Sequence, residues 1–219
     1  MHDEAARKKP EKTWHILILT IGIAILQSLR GYGAKIFGKG DQSLHGPKLA
    51  KRSLIVPSAI SLAGSLTGIA AIGFVTAHFS VPLLLAPFGA SVVLLFSVYD
   101  SPLAQPRNTF FGHVIAALIA GIIAIMHISY FGSGSEVLLD NEQYIWIAMA
   151  VSLAIFAMQV LRLTHPPAGA TAFIASTTII SLDSFIAFMV SVIAGSLILI
   201  AMAVIFNNAA PKRRYPVYW

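Results

Sequence analysis

The chain has 219 residues, of which 57% are hydrophobic and 11% are charged, with a formal net charge of +6. A soluble domain of this size carries about 25% charged residues, so the composition excludes an ordinary soluble enzyme and indicates one membrane domain. The chain has no cysteine, which excludes disulfides and thiol catalysis. Only two basic residues, Arg107 and Arg162, lie between Ser53 and Phe206. Basic residues gathered at the ends are typical of cytoplasmic flanks and do not favour nucleic-acid binding.

The first 52 residues form a basic region with one short apolar stretch. Its opening thirteen residues hold three acidic residues and no apolar run, which is typical of neither a signal peptide nor a transit peptide. The apolar stretch at about 14–29 is flanked by basic residues on both sides. Placement in the interface, re-entry into the membrane and passage through it all stay open. We expect residues 1–52 to contribute a peripheral or extra helix.

Six further apolar segments follow the basic region. They span about 53–78, 83–98, 109–128, 143–162, 168–181 and 184–206. A helix needs about 20 residues to cross the hydrocarbon core, and four of the segments satisfy that length. The segments at 83–98 and 168–181 are too short, which predicts two broken helices. Non-helical backbone at membrane depth requires protein or a water-filled cavity around it.

The charges of the loops orient these segments. The loop at 35–52 is basic and predicted to be cytoplasmic, whereas the loop at 129–143 holds three acidic and no basic residues and suits the outside. Three segments in 53–128 then precede three in 143–208, and the odd number inverts the second group. We predict an all-α, polytopic membrane helix bundle with a 3+3 inverted repeat, followed by a basic tail at 209–219. The basic loops and the C-terminus are expected on the cytoplasmic side of a bacterial inner membrane.

The motif Pro-x-Gly-Ala-Ser/Thr opens the middle segment of each half. The first copy is Pro87, Phe88, Gly89, Ala90 and Ser91, and the second is Pro167, Ala168, Gly169, Ala170 and Thr171. Proline is favoured in the first turn of a helix, and the small residues leave nearby amides open. Each copy therefore predicts a bare helix N-terminus that attracts an anion. Close packing of helices through small residues is the alternative. We predict that Gly89 and Gly169 lie near one another, close to the bilayer midplane.

Polar residues beside the motifs extend the candidate binding site. Thr164 is expected to cap the second copy. His165, which precedes Pro166, can contact the solute, relay a proton or hydrogen-bond to backbone groups that the prolines leave without a partner. Arg107 and Asn108 lie at the inner end of the first half, where the arginine can attract an anion. An anchor on the positive side of the membrane explains the charge of Arg107 equally well.

The histidines elsewhere in the membrane segments, His78, His113 and His127, are interpreted as structural or interfacial. Their spacing does not match a metal site. No Ser-His-Asp pattern, carboxylate pair or phosphate loop is present. The sequence therefore predicts no enzyme, metal site or cofactor.

Three segments in combination resemble the HPP family of integral membrane proteins, which is named after its His-Pro-Pro motif. They are residues 85–91, 102–108 and 165–171. The resemblance covers roughly Ser53 to Asn208. It implies a protein usually described with four membrane spans, fewer than the six segments counted above. It also implies nitrite transport, with which members from plastids and cyanobacteria are associated.

We expect the protein to transport a small inorganic anion, nitrite first because the resemblance names it. The motif amides would bind it, with polar contacts from Ser91, Thr171 and His165. The expected partners are this anion and the lipid bilayer, and small-residue faces also favour a homo-oligomer. Two alternatives stay open: a non-transporting assembly or regulatory subunit, and a channel for a small neutral solute.

Overall fold

The computed structural model describes residues 55–79, 86–131, 143–210 and 213–217. The chain divides into two compact units, Met1–Arg52 and Ser53–Trp219, and every described residue belongs to the second. The apolar stretch predicted at 14–29 therefore lies outside the described residues.

Six α-helices form the described part of this unit. They are α1 (Ile55–Phe79), α2 (Ala86–Ser97), α3 (Pro106–Phe131), α4 (Gln143–Val160), α5 (Pro167–Thr178) and α6 (Leu182–Ala209). A short 3-10 helix, Pro102–Ala104, lies between α2 and α3. No strand occurs among the described residues. The predicted all-α membrane bundle is confirmed.

The helices differ in their capacity to cross a bilayer. Helices α1, α3 and α6 have 25, 26 and 28 residues and are apolar enough to span it. Helix α4 has 18 residues, or about 27 Å, whereas α2 and α5 have 12 each, or about 18 Å. The two short middle helices agree with the prediction. The segment predicted as full-length at 143–162 corresponds to α4, which is described over 18 residues and ends at Val160.

The contacts between helices repeat from one half of the unit to the other. Helix α1 packs on α2 and α6, and its counterpart α4 packs on α5 and α3. Helix α2 contacts α6 as α5 contacts α3, and the pairs α2–α5 and α3–α6 each join a helix to its own counterpart. This pairing is the one that an inverted repeat of three helices predicts. The two short helices contact one another.

Phenylalanine rings fill the places where glycines allow helices to approach closely. The three pairs are Phe96 on Gly64, Phe88 on Gly195 and Phe185 on Gly121. A β-carbon at any of these glycines would overlap the ring. These small-residue positions therefore serve helix packing.

The end of the chain folds back onto the bundle. The Arg213 guanidinium donates to the Phe96 carbonyl at 3.3 Å and to the side-chain oxygen of Asn207 at 3.1 Å. The Tyr215 hydroxyl donates to the Ala104 carbonyl at 2.7 Å, and burial raises the pKa of this hydroxyl. The tail therefore holds the connection between α2 and α3 in place. The tail, with Arg213, covers one end of the bundle, and we call that end the basic end.

Candidate functional site

A left-handed turn at Arg162 brings the His-Pro-Pro segment back to the bundle. The Leu163 N–H donates to the Met158 carbonyl at 2.8 Å, and the Arg162 N–H donates to the Gln159 carbonyl at 3.1 Å. Arg162 itself has φ of 56°. These are the bonds of a Schellman motif, a frequent end of helices. The turn leaves Leu163 and His165 buried.

Helix α3 receives this segment through a glycine and an amide. A β-carbon on Gly112 would lie 2.7 Å from the His165 Cβ and 3.2 Å from the Leu163 carbonyl oxygen. Glycine therefore permits an approach that any larger residue would obstruct. The Asn108 side-chain amide donates to the Thr164 carbonyl at 3.0 Å. Asn108 thus holds the His-Pro-Pro segment against the start of α3.

Four polar side chains join into one hydrogen-bonded network inside the bundle. Ser91 Oγ lies 2.9 Å from His165 Nε2 and 2.8 Å from His113 Nε2. His113 Nδ1 lies 2.7 Å from Thr171 Oγ1, and His165 Nδ1 lies 2.8 Å from the Leu103 carbonyl oxygen. All four side chains belong to residues with 0% exposure. We call Thr171, His113, Ser91 and His165 the histidine network.

The Leu103 carbonyl determines where the hydrogens of the neutral network lie. A carbonyl only accepts, so His165 carries its hydrogen on Nδ1 and accepts at Nε2 from the Ser91 hydroxyl. Ser91 then accepts from His113 Nε2–H, and His113 Nδ1 accepts from the Thr171 hydroxyl. Donation therefore runs in one direction, from Thr171 to Leu103. Every ring nitrogen has a partner, as buried polar groups require.

The histidine network joins the two copies of Pro-x-Gly-Ala-Ser/Thr. Ser91 ends the first copy and Thr171 ends the second, and they bond to opposite nitrogens of His113. The motifs therefore meet through their hydroxyl side chains. A β-carbon on Gly89 or Gly169 would meet no atom within 4 Å. Gly89 is exposed and Gly169 is half-buried, so this open space lies on faces of α2 and α5 about 200° around each helix from Ser91 and Thr171. The predicted mutual proximity of the two glycines stays a prediction.

The other motif residues divide between a buried and an exposed side. The buried ones are Pro87, Phe88, Pro167 and Ala168, and the exposed ones are Ala90, Ala170 and Pro166. The Phe88 ring stands edge-on to the His113 ring, with centroids 5.2 Å apart. Phe88 therefore supports the network from the α6 side, where it also packs on Gly195.

The start of α5 differs from the bare helix end that the sequence predicts. The Ala168 N–H donates to the His165 carbonyl at 2.9 Å, and the Gly169 N–H donates to the Pro166 carbonyl at 3.0 Å. These two amides are not free donors. The prediction that Thr164 caps the helix is wrong, because Pro166 occupies the cap position with helical dihedrals and no side chain caps there.

Arg107 lies apart from the histidine network. It is exposed on the first turn of α3, six residues before His113 and about 240° around the helix from it. It borders a groove of about 360 Å³ on the side of α3 and α6. The other lining residues are Pro106, Phe110, Phe111, Leu197 and Ile200. Attraction of an anion by Arg107 stays a prediction.

His113 is a candidate site residue that the sequence interpretation missed. Its partners lie 22 and 58 residues away along the chain, so no local pattern reveals them. The available signal was its position: a titratable side chain in the middle of an apolar spanning segment usually faces the interior and carries a function.

Comparison with known proteins adds the family. Residues 50–216 match the family described as HPP, transmembrane region. A transmembrane protein of Dictyostelium discoideum is 41% identical over 140 residues, which cover 62% of this chain and 41% of that protein. A second one from the same organism is 39% identical over 137 residues, covering 62% and 45%. The chain thus spans less than half the length of these curated relatives, and no solved structure matches it. The chain belongs to the HPP family of integral membrane proteins.

Proposed function

We propose that this protein is a transporter rather than an enzyme, and that it moves a small inorganic anion across the membrane. The observation that supports the proposal is the bridge from Ser91 through His113 to Thr171, at the meeting point of the two short helices. Polar and titratable groups inside a membrane bundle are costly and mark solute or ion pathways. Broken helices from two inverted halves are where many transporters place their substrate.

Nitrite is the anion that we propose first. The association of plastid and cyanobacterial HPP proteins with nitrite supports this choice. The chemistry of the site favours a broader class, because hydroxyl and imidazole donors bind nitrate, formate or chloride as readily. We place the anion next to the Ser91 and Thr171 hydroxyls, which bond to the two nitrogens of His113.

We propose that the basic end faces the cytoplasm, since basic residues are enriched on that side of membranes. Arg107 would then attract anions towards the inner mouth of the pathway. Replacing Arg107 with glutamine should raise the KM for the anion and leave the maximal rate nearly unchanged.

Flux in proteoliposomes tests the proposal. We expect the purified protein to move nitrite, nitrate or formate faster than empty vesicles do. Ser91→Ala removes two hydrogen bonds of the network and Thr171→Val removes one. Each bond is worth about 1 kcal/mol, so both variants should slow flux by about fivefold or more. Ser129→Ala is the matched control, because Ser129 is exposed and, among the described residues, bonds only to the Ile125 carbonyl of its own helix. If none of the three anions moves faster than in empty vesicles, the proposal is wrong.

A non-transporting membrane subunit is the second candidate. The observation that favours it is the completeness of the network, whose side chains are buried and hydrogen-bonded without any ligand. A subunit of this kind predicts that Ser91→Ala lowers thermal stability while adding any of the anions leaves the melting temperature unchanged. A transporter predicts that a bound anion raises that temperature.

A further inference from the structure

The histidine network has room for a proton without movement of any heavy atom. In the neutral network the Ser91 hydroxyl donates to His165 Nε2. Ser91 Oγ also lies 3.3 Å from the Pro87 carbonyl oxygen, so the hydroxyl can rotate and donate there instead. Its freed lone pair can then accept from a protonated His165 Nε2, while Nδ1–H stays on the Leu103 carbonyl.

His113 can also take up a proton on its other side. A proton added at Nδ1 turns that nitrogen into a donor towards Thr171 Oγ1, and Nε2–H remains on Ser91. The Thr171 hydroxyl then gives up the hydrogen bond that it donates to the ring. Protonation of His165 keeps every contact of the network, so His165 is the ring that takes up the proton.

The network accepts one proton rather than two. The His113 and His165 ring centroids are 4.9 Å apart, and two positive charges at that separation oppose one another. Helices α2 and α5 contribute no titratable side chain to the site. The charged side chains of the neighbouring elements are exposed and bond to neither ring: Asp100, Arg107, Arg162 and Asp183. Among the described residues, the added charge therefore has no counter-ion.

We infer that the histidine network binds one proton together with one monovalent anion, so that the transported unit is electrically neutral. This inference rests on the proposed anion transport and adds its co-substrate. An isolated positive charge inside a membrane bundle is costly, and the transported anion would neutralise it. By linkage, each ligand then raises the affinity for the other by the same factor.

The cycle requires no covalent chemistry. One proton from water on the side of entry adds to a ring nitrogen as one anion binds. Both leave on the opposite side, where the proton returns to water and the network returns to its neutral arrangement. One proton therefore accompanies each anion, and the cycle moves no net charge.

Proteoliposomes with a clamped membrane potential test the coupling. Nitrate is the probe, because its conjugate acid is strong and does not leak through lipid as the neutral form. At zero potential, we expect an inward proton gradient to drive nitrate uptake, with one proton entering per nitrate as measured by an internal pH dye. An imposed potential should leave the uptake rate unchanged.

Substitutions separate coupling from packing. His165→Gln retains a donor and an acceptor but cannot take up a proton, so it should abolish uptake driven by the proton gradient. The control is His127→Gln, which alters a histidine of α3 whose ring contacts the Phe131 and Trp146 rings, outside the network. The control should retain the ratio of one proton per nitrate.

Each outcome decides between the proposals. Nitrate movement that carries no protons and follows the membrane potential would overturn the coupling and leave anion transport standing. Absence of anion movement would overturn both. If His165→Gln fails to fold, proton uptake by the detergent-solubilised natural protein on addition of nitrate, read with a pH dye in weak buffer, provides the second measurement. Uptake supports the inference, and its absence contradicts it.

Discussion

At the scale of single residues, His113 is where the two halves of the bundle converge. Its ring bonds to Ser91 of the first half and Thr171 of the second. Because both nitrogens are engaged, the position requires a side chain that donates on one edge and accepts on the other. The adjacent Gly112 sets the distance between α3 and the His-Pro-Pro segment. Two neighbouring residues of one helix thus determine both the bonding and the spacing of the site.

Gly112→Ala should damage the site by steric overlap alone. The new methyl group would lie 2.7 Å from the His165 Cβ, which forces the His-Pro-Pro segment away from α3. Overpacking of this kind costs about 1–3 kcal/mol, and we expect a lower melting temperature together with reduced anion flux. The control is Gly73→Ala on α1, where a β-carbon meets no atom within 4 Å. That change should raise stability slightly, by about 0.5–1 kcal/mol. Equal losses in both variants would contradict this account.

At the scale of elements, the end of α4 and the start of α5 determine the position of His165. Helix α4 stops in a Schellman motif at Arg162, and α5 starts at Pro167 without a side-chain cap. The six residues between the two helices, 161–166, reverse the chain and bury His165 against α3. The carbonyls of His165 and Pro166, rather than a ligand, therefore accept from the first amides of α5.

Arg162→Gly separates the backbone role of this residue from its charge. A non-glycine residue in the left-handed region costs about 1–2 kcal/mol, and Arg162 has φ of 56°. Glycine should therefore keep the turn and raise the free energy of unfolding by up to about 1 kcal/mol. Arg162→Val, whose branched side chain resists this conformation, should lower it. Chemical unfolding of both variants in detergent measures the difference. Similar stabilities would show that the turn is not under strain.

The helices were largely predictable from the sequence, whereas the network was not. Apolar segment lengths alone placed the short middle helices within a few residues, for example 83–98 against Ala86–Ser97. The breaks also followed from local chemistry, since proline marks the first turn of α5. The partners of His113 depend on how α2 and α5 pack on α3, and long-range packing leaves no periodic trace in the sequence. The cap assigned to Thr164 failed because a Pro-Pro pair already adopts the cap conformation.

At the scale of the whole molecule, the C-terminal tail connects to the site through the loop between α2 and α3. The Tyr215 hydroxyl bonds to the Ala104 carbonyl, and the preceding carbonyl, that of Leu103, accepts from His165. The Val217 N–H bonds to the side chain of Gln105 in the same loop. The basic tail was predicted as a positive flank only. Its position indicates that it also fixes the carbonyl that sets the tautomer of His165.

Tyr215→Phe tests this connection through the dependence of stability on pH. Burial raises the pKa of the Tyr215 hydroxyl in the folded protein, whereas in the unfolded chain it titrates near its usual value of about 10. Above that pH the unfolded state binds fewer protons than the folded state, so stability must fall as pH rises, by up to about 1.4 kcal/mol per pH unit. The variant lacks this hydroxyl, so its free energy of unfolding should decline less between pH 10 and pH 11.

At neutral pH the Tyr215→Phe variant should be about 1 kcal/mol less stable, because it loses the bond to Ala104. Tyr144→Phe, an exposed residue at the start of α4, is the control and should follow the natural protein. Parallel pH profiles for Tyr215→Phe and the natural protein would show that the hydroxyl is not held in its buried, protonated form.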